Sequence, residues 1–266
     1  MKNGHEEDVM FGFLIKKTFF DMWDNLITIV LMNLGFIASL AVVVYVPYAL
    51  SFNTVLAYIG LAVALFIFNL YSGTISMMVG DIADYKRCEF KDFLPYLRST
   101  IKYSGVLTLI TCVQLVIVAI GFPFYLQMGG VFGVLALAVL FWISLAAWLS
   151  LQYFFPVRKR LDASMKKIFK KSLILFFDNT AFSFGLALGG IVILAISVFT
   201  ALLIPGIATF LLWRQVAVKL RLLKYDYLEE NPDANRKKIP WDALLVDDRE
   251  KVGPRSLKGM IFPWKE

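Results

Sequence analysis

Residues 179–213, NTAFSFGLALGGIVILAISVFTALLIPGIATFLLW, contain no Asp, Glu, Lys, Arg or His. A helix needs about 20 apolar residues to cross a bilayer, so this stretch is either one very long crossing or two that just reach. Which of the two it is decides the side of the membrane on which the last fifty residues lie. Two further stretches, 25–80 and 103–157, are equally free of charge and, at about 55 residues each, long enough for two crossings apiece. The first divides at Val46-Pro47-Tyr48-Ala49-Leu50-Ser51-Phe52-Asn53, which predicts helices over 26–46 and 54–79. The second divides between Pro123 and Gly130, which predicts helices over 104–122 and 131–155.

The basic residues resolve the ambiguity of 179–213. All 27 Lys and Arg lie outside the three blocks: 3 in residues 1–24, 5 in 81–102, 7 in 158–171 and 12 in 214–266. Six crossings put all four segments on one side, whereas five would export the twelve basic residues of the tail. Because lysine and arginine are retained on the cytoplasmic side, six is the expected number, with both termini cytoplasmic. Helix five then begins near Asn179, the chain turns around Phe199 to Leu203, and Pro205-Gly206 opens helix six. The predicted fold is all-α: a polytopic membrane helix bundle of six transmembrane helices as three hairpins. Its parts are a cytoplasmic N-terminal segment (1–24), a transmembrane domain (25–223) and a cytoplasmic tail (224–266).

Composition agrees. Hydrophobic residues make up 59%, charged residues 18%, and mean hydropathy is +0.70, far from soluble averages. The net charge of +7 does not point to nucleic acid, because the basic residues sit against the ends of the apolar blocks, where they attract anionic lipid. The N-terminal MKNGHEED is acidic and lacks the pattern of a cleaved signal peptide. Cys88 and Cys112 are too few for a disulfide framework and are read as reduced thiols. Lys16-Lys17-Thr18 with Asp24-Asn25 recurs as Lys170-Lys171-Ser172 with Asp178-Asn179, an internal echo of one basic membrane entrance in another. The cytoplasmic connections carry apolar stripes at helical spacing. One runs through Phe90, Phe93, Leu94, Leu97 and Ile101, the other through Leu161, Met165, Ile168 and Phe169, each interleaved with lysines or arginines. Such amphipathic helices lie in the membrane interface.

Four amides stand inside the apolar blocks: Asn33, Asn69, Gln114 and Gln152. Counted along their helices at 1.5 Å per residue, Asn33 lies roughly 12 Å and Asn69 and Gln114 roughly 16 Å from the cytoplasmic ends, with Gln152 roughly 6 Å deep. Polar groups at such depth face the bundle interior, and there they either tie helices together or, converging, line a solute pocket. The first is the commoner use of an uncharged amide. Gly129-x-x-x-Gly133 and Gly185-x-x-x-Gly189 likewise suit close helix packing.

Catalysis finds little to work with. The only histidine is His5, which excludes a His-based triad or zinc site, and no G-x-S-x-G elbow or GK[ST] loop occurs. Asp81-x-x-Asp84 and Asp21-x-x-Asp24 space two carboxylates one helical turn apart, as a Mg²⁺ site would, but carboxylates among basic residues at a helix end are more often a solvated boundary. No metal and no cofactor is expected. The tail is unusual for a solvated segment, with Pro240-Trp241, Pro263-Trp264 and the apolar patches Leu244-Leu245-Val246 and Met260-Ile261-Phe262. Trp241, Leu244, Leu245, Phe262 and Trp264 are predicted to dock, on the chain's own cytoplasmic face or on a partner.

Several of these features occur together in a known group. Trp23-x-Asn25, Asn33 and Pro47 in the first helix, Phe90-x-x-Phe93, Phe155-Pro156 and Lys171-Ser172 resemble the YesL family of bacterial membrane proteins, over roughly residues 10–223. The resemblance implies a small multi-helix protein of the bacterial inner membrane without assigned chemistry, often associated with carbohydrate uptake. It supplies no catalytic residue. The expected role is therefore an accessory or scaffold protein in contact with the lipid bilayer and with a membrane-protein partner or a second copy. The second reading is a small-solute transporter using the amides.

Overall fold

The computed structural model describes residues 2–161, 163–236 and 238–255, with side chains from Asp8 onward. Among them the chain is all-helical, 85% helix without a strand. Helix α1 spans Lys2–Asp24, α2 Leu26–Ala49, α3 Thr54–Ala83, α4 Phe93–Val116, α5 Phe122–Met128 and α6 Gly130–Leu151. After these come α7 (Phe154–Arg160), α8 (Met165–Asp178), α9 (Thr180–Phe199), α10 (Gly206–Glu230), α11 (Trp241–Leu244) and α12 (Val246–Val252). Five helical stretches are long and apolar enough to cross a membrane: 26–49, 54–83, 90–128, 130–160 and 180–199. The expected sixth, α10, carries Arg214, Lys219, Arg221 and Lys224 in its 25 residues and does not meet the same test.

The turns follow from local chemistry. Asn53 opens α3 by accepting the free N–H groups of Val55 (3.0 Å) and Leu56 (3.2 Å). Pro47 does not end α2, which runs to Ala49, because so near the helix end a missing donor removes a single backbone bond. Pro123 does not break the chain either. Helix continues through it from α4 to α5, and the ladder widens into a π turn over Ile117–Gly121 just before the proline, where its missing donor and its ring are accommodated. The reversal comes at Gly129 and Gly130, whose φ of +64° and +62° only glycine adopts without strain. The stripe around Phe90 is likewise not a separate interfacial helix. A 3-10 turn over Phe90–Asp92 leads directly into α4.

Two features set the shape of the charged end. Residues 2–24, the expected N-terminal segment, form one helix. Its Phe11 ring meets Trp213 (5.7 Å between centroids) and Phe182 (6.3 Å), and Met10 and Leu14 are fully buried. The boundary expected at 223/224 falls inside α10, which continues unbroken to Glu230.

Helices α9 and α10 pack antiparallel, held by the Trp213 indole donating to the Leu186 carbonyl (2.9 Å) and the Lys224 ammonium donating to the Asn179 amide oxygen (3.3 Å). Helix α10 is the axis of the bundle. Ala208, Leu212, Val216, Ala217, Val218 and Leu220 are all inaccessible to solvent, and Gln215 donates to the Ser76 carbonyl of α3 (2.9 Å).

The turn joining α9 to α10 lies against Asn33 of α2, about 12 Å along that helix from Asn25; α2 runs about 24 Å further. Gly206 at this contact has φ +74°, and a Cβ there would collide with the Asn33 amide. Gly206→Ala is therefore expected to cost at least about 1 kcal/mol and to lower the melting temperature of the detergent-solubilised protein. Gly12→Ala, inside α1 where a Cβ meets nothing within 4 Å, should raise it slightly, helix propensity contributing about 0.5–1 kcal/mol.

Candidate functional site

Ionisable groups concentrate at one end of the bundle, in two clusters built around the end of α3. Helix α3 closes with paired bonds from Tyr85 N to Ile82 O (2.9 Å) and from Lys86 N to Asp81 O (2.8 Å). This closure needs a left-handed residue at position 85 and usually takes glycine there. The chain places Tyr85 there instead, at φ +58°. Its ring is held by cations. Lys17 Nζ lies 3.6 Å from the ring centroid, Lys219 Nζ 4.3 Å and Lys251 Nζ 5.2 Å. The Tyr85 hydroxyl donates to the Asp248 carbonyl (3.2 Å). Lys17 pairs with Asp21 (2.7 Å), and Lys219 pairs with Asp248 (2.7 Å) while donating to the Ala83 carbonyl (3.1 Å). One aromatic ring thus joins α1, α3, α10 and α12.

The second cluster ties α3 to α4 and α7. Asp81 accepts from Lys159 (2.8 Å) on one oxygen and from the Tyr96 hydroxyl (2.6 Å) on the other, and Lys159 also donates to that hydroxyl (3.1 Å). Asp84 pairs with Arg160 (2.7 Å). The stem of Lys159 runs over Gly80, whose missing side chain leaves it room. Each carboxylate of the Asp81-x-x-Asp84 pair therefore has its own cation. So do those of Asp21-x-x-Asp24, with Lys17 on the first and Arg255 on the second (2.7 and 2.9 Å). Among the described residues no group of three His, Cys, Asp or Glu is placed to hold a metal.

The tail residues divide. Trp241 (1% exposed) and Leu245 (0%) are buried with Ile239 and Val252 in the core shared with α1 and α10, and Leu244 is half-buried. The Arg221 guanidinium stands between the rings of Phe182 (4.1 Å) and Trp241 (5.8 Å). Phe262 and Trp264 lie outside the described residues.

The four amides do not meet one another. Asn33, fully buried, donates to the carbonyls of Leu203 and Pro205 (2.9 Å each) and accepts from Ala208 N (2.8 Å). Asn69 donates to the Thr108 hydroxyl (3.1 Å), joining α3 to α4. Gln152 donates to the Ser183 carbonyl of α9 (3.1 Å). Gln114 is half-buried on α4. The clefts at the charged end are lined by other residues. One of about 390 Å³ is bordered by Asp21, Asp24, Tyr85, Lys86, Lys251 and Arg255. Sequence reasoning missed Lys17, Tyr85, Lys159, Lys219 and Asp248. Only the i, i+4 spacing of Lys17 and Asp21 announced a contact.

Burial decides the protonation of the first cluster. It pushes the Asp21 carboxyl up to about 6 against the pull of Lys17, and pushes the Lys17 ammonium below its ordinary range. Burial opposes ionisation of Asp248 too, but the bond and charge of Lys219 outweigh it and hold that carboxyl below its usual value. Burial raises the Cys88 thiol to about 11, so it stays protonated at neutral pH.

Compared with protein-family models, curated proteins and solved structures, the chain matches none.

Three measurements bear on this end of the molecule. The double variant Lys17→Met/Asp21→Leu should stay near wild-type stability, because replacing a buried ion pair by apolar groups of similar volume is close to neutral. A carboxyl raised by folding stabilises fully below its unfolded value, near 4, and loses that contribution as pH rises through about 6. Thermal stability should therefore gain a component between pH 7 and pH 5 that Asp21→Asn abolishes. Trp241→Ala removes a buried aromatic at a cost of about 3–5 kcal/mol, and should expose Arg249 and Lys251 to trypsin sites that the wild type protects.

Proposed function

We propose that this chain is a non-catalytic integral membrane subunit that scaffolds a membrane complex in the bacterial inner membrane. In this reading six membrane-inserted helices form three pairs, and both termini and the charged end face the cytoplasm. The observation that carries it is the uneven burial of the long helices. Within the chain, 28% of the most apolar window is buried in 26–49 and in 180–199, but only 6% in 90–128 and in 130–160. The α4–α6 arm therefore keeps nearly its whole apolar surface for something else. Phe124, Leu126, Val131, Phe132 and Trp142, each at least 60% exposed, mark its outer half. Lipid covers such a surface by default, but two crossings bound to their own bundle mainly along one side of α4 suit a partner's transmembrane helices. Beside this arm Asn33, Asn69 and Gln215 each bond to another helix or turn, which favours a fixed support over a moving carrier. The likeness of residues 10–223 to YesL proteins adds the class of complex, a carbohydrate uptake system.

Reporter fusions after Leu50 and Gly129 should report the outside, and fusions after Arg87, Lys167 and Lys224 the inside. Purification in mild detergent should yield a stoichiometric membrane-protein partner. Solute flux by the purified protein alone in liposomes would instead establish the transporter reading.

A further inference from the structure

The turn between α9 and α10 differs from the α2–α3 turn in composition, bonding and position. The α2–α3 turn carries Ser51 and Asn53 and is flanked by exposed aromatic side chains: Tyr45 (68%), Tyr48 (76%), Phe52 (78%) and Tyr58 (70%). Such a ring of tyrosines belongs at a membrane–water interface. Residues 198–206, VFTALLIPG, hold one hydroxyl, that of Thr200, and no charge, and Val198 (69%) and Phe199 (91%) are exposed.

Its backbone is served by protein side chains. Leu203 and Pro205 carbonyls accept from Asn33, Ala208 N donates to Asn33, Gly206 N donates to Ser197 Oγ (2.8 Å), and the Ile204 carbonyl accepts from Thr200 Oγ1. Ala201 and Leu202 both take left-handed backbone (φ +50° and +64°), a conformation costing on the order of 1–3 kcal/mol each and kept only where the surroundings enforce it. A turn in water needs none of this. One in hydrocarbon needs all of it.

Position gives the same answer. Asn33, which touches the turn, precedes Tyr45 by twelve residues, about 18 Å of helix. On α10, Lys219 pairs with Asp248 and the end of α3, which marks the charged surface. From there to Gly206 is thirteen residues, about 20 Å, against a hydrocarbon core of about 30 Å. We propose that α9 and α10 form a re-entrant pair: the turn Thr200–Pro205 stops near the bilayer midplane, and acyl chains of the opposite leaflet cover it. This rests on the membrane reading above and replaces the fifth and sixth full crossings with an entry and a return on the same side.

The test is cysteine accessibility in intact membranes, in a Cys88→Ser/Cys112→Ser background, using a membrane-impermeant maleimide added from each side. Asn53→Cys reports the far surface, Arg236→Cys the charged side and Ala201→Cys the turn, with Phe199→Cys as a second turn variant should the first fail to fold. The expected result is labelling of Asn53→Cys from outside, of Arg236→Cys from inside, and of the turn from neither until detergent is added. A nitroxide at the turn should then be relaxed by oxygen and not by a water-soluble nickel chelate. Labelling of the turn from outside at the rate of Asn53→Cys overturns the proposal in favour of a full crossing. Labelling from inside overturns it in favour of a water-filled cleft. If Asn53→Cys and Arg236→Cys react from the same side, the membrane reading itself fails.

Discussion

One carboxamide constrains this molecule more than any other group. Asn33 on α2 engages three backbone atoms of the α9–α10 turn with both ends of its side chain, in a site closed to solvent. An amide buried in an apolar helix is costly unless satisfied, and those backbone atoms are costly for the same reason, so each group is the other's solution. The contact fixes how far α10 reaches along α2. That in turn sets the register of everything α10 carries: Trp213 against α9, Gln215 against Ser76, Lys219 against the end of α3.

The charged end is held differently. Its ions lie in near-neutral pairs, and because the desolvation of such a pair roughly cancels its attraction, the pairs specify geometry more than they stabilise. Around Tyr85 that geometry is unusual. A bulky residue occupies a backbone conformation normally left to glycine, with cations from three segments about its ring. Apolar burial of Trp241, Leu245 and Val252 gives the tail its adhesion, and the ion pairs determine where it adheres.

Much of the helical framework is legible in the sequence, since an absence of charge over a long stretch is a strong local signal. Helices α2, α3, α6 and α9 can be placed from it to within a few residues. Helix ends are less legible where proline is involved: Pro47 and Pro123 mark breaks by composition, yet the chain tolerates one in a last turn and the other just after a π turn. The helicity of residues 2–24 is hidden because its apolar stripe, Met10, Phe13 and Leu14, is short and mixed with charge. The amides are individually visible, but their partners are not. Nothing local to Asn33 indicates residues 203–208, and nothing in the Asp81-x-x-Asp84 spacing separates a metal site from two carboxylates each answered by a cation on α7. Pairings between distant segments are set by packing, which no local pattern records.

The distances along the chain between bonded partners impose an order on biogenesis. Asn33 is separated from Leu203 by 170 positions, and Lys16 and Asp24 from Gly253 and Arg255 by more than 230. Because synthesis runs from the N-terminus, α1 and α2 emerge long before the segments that complete them. Until then the Asn33 amide has no mate, and the Met10–Leu14 face of α1 has neither α10 nor the tail above it. Both stay uncovered until residues 203–255 have been made, so the bundle closes only when those later segments return to α1 and α2.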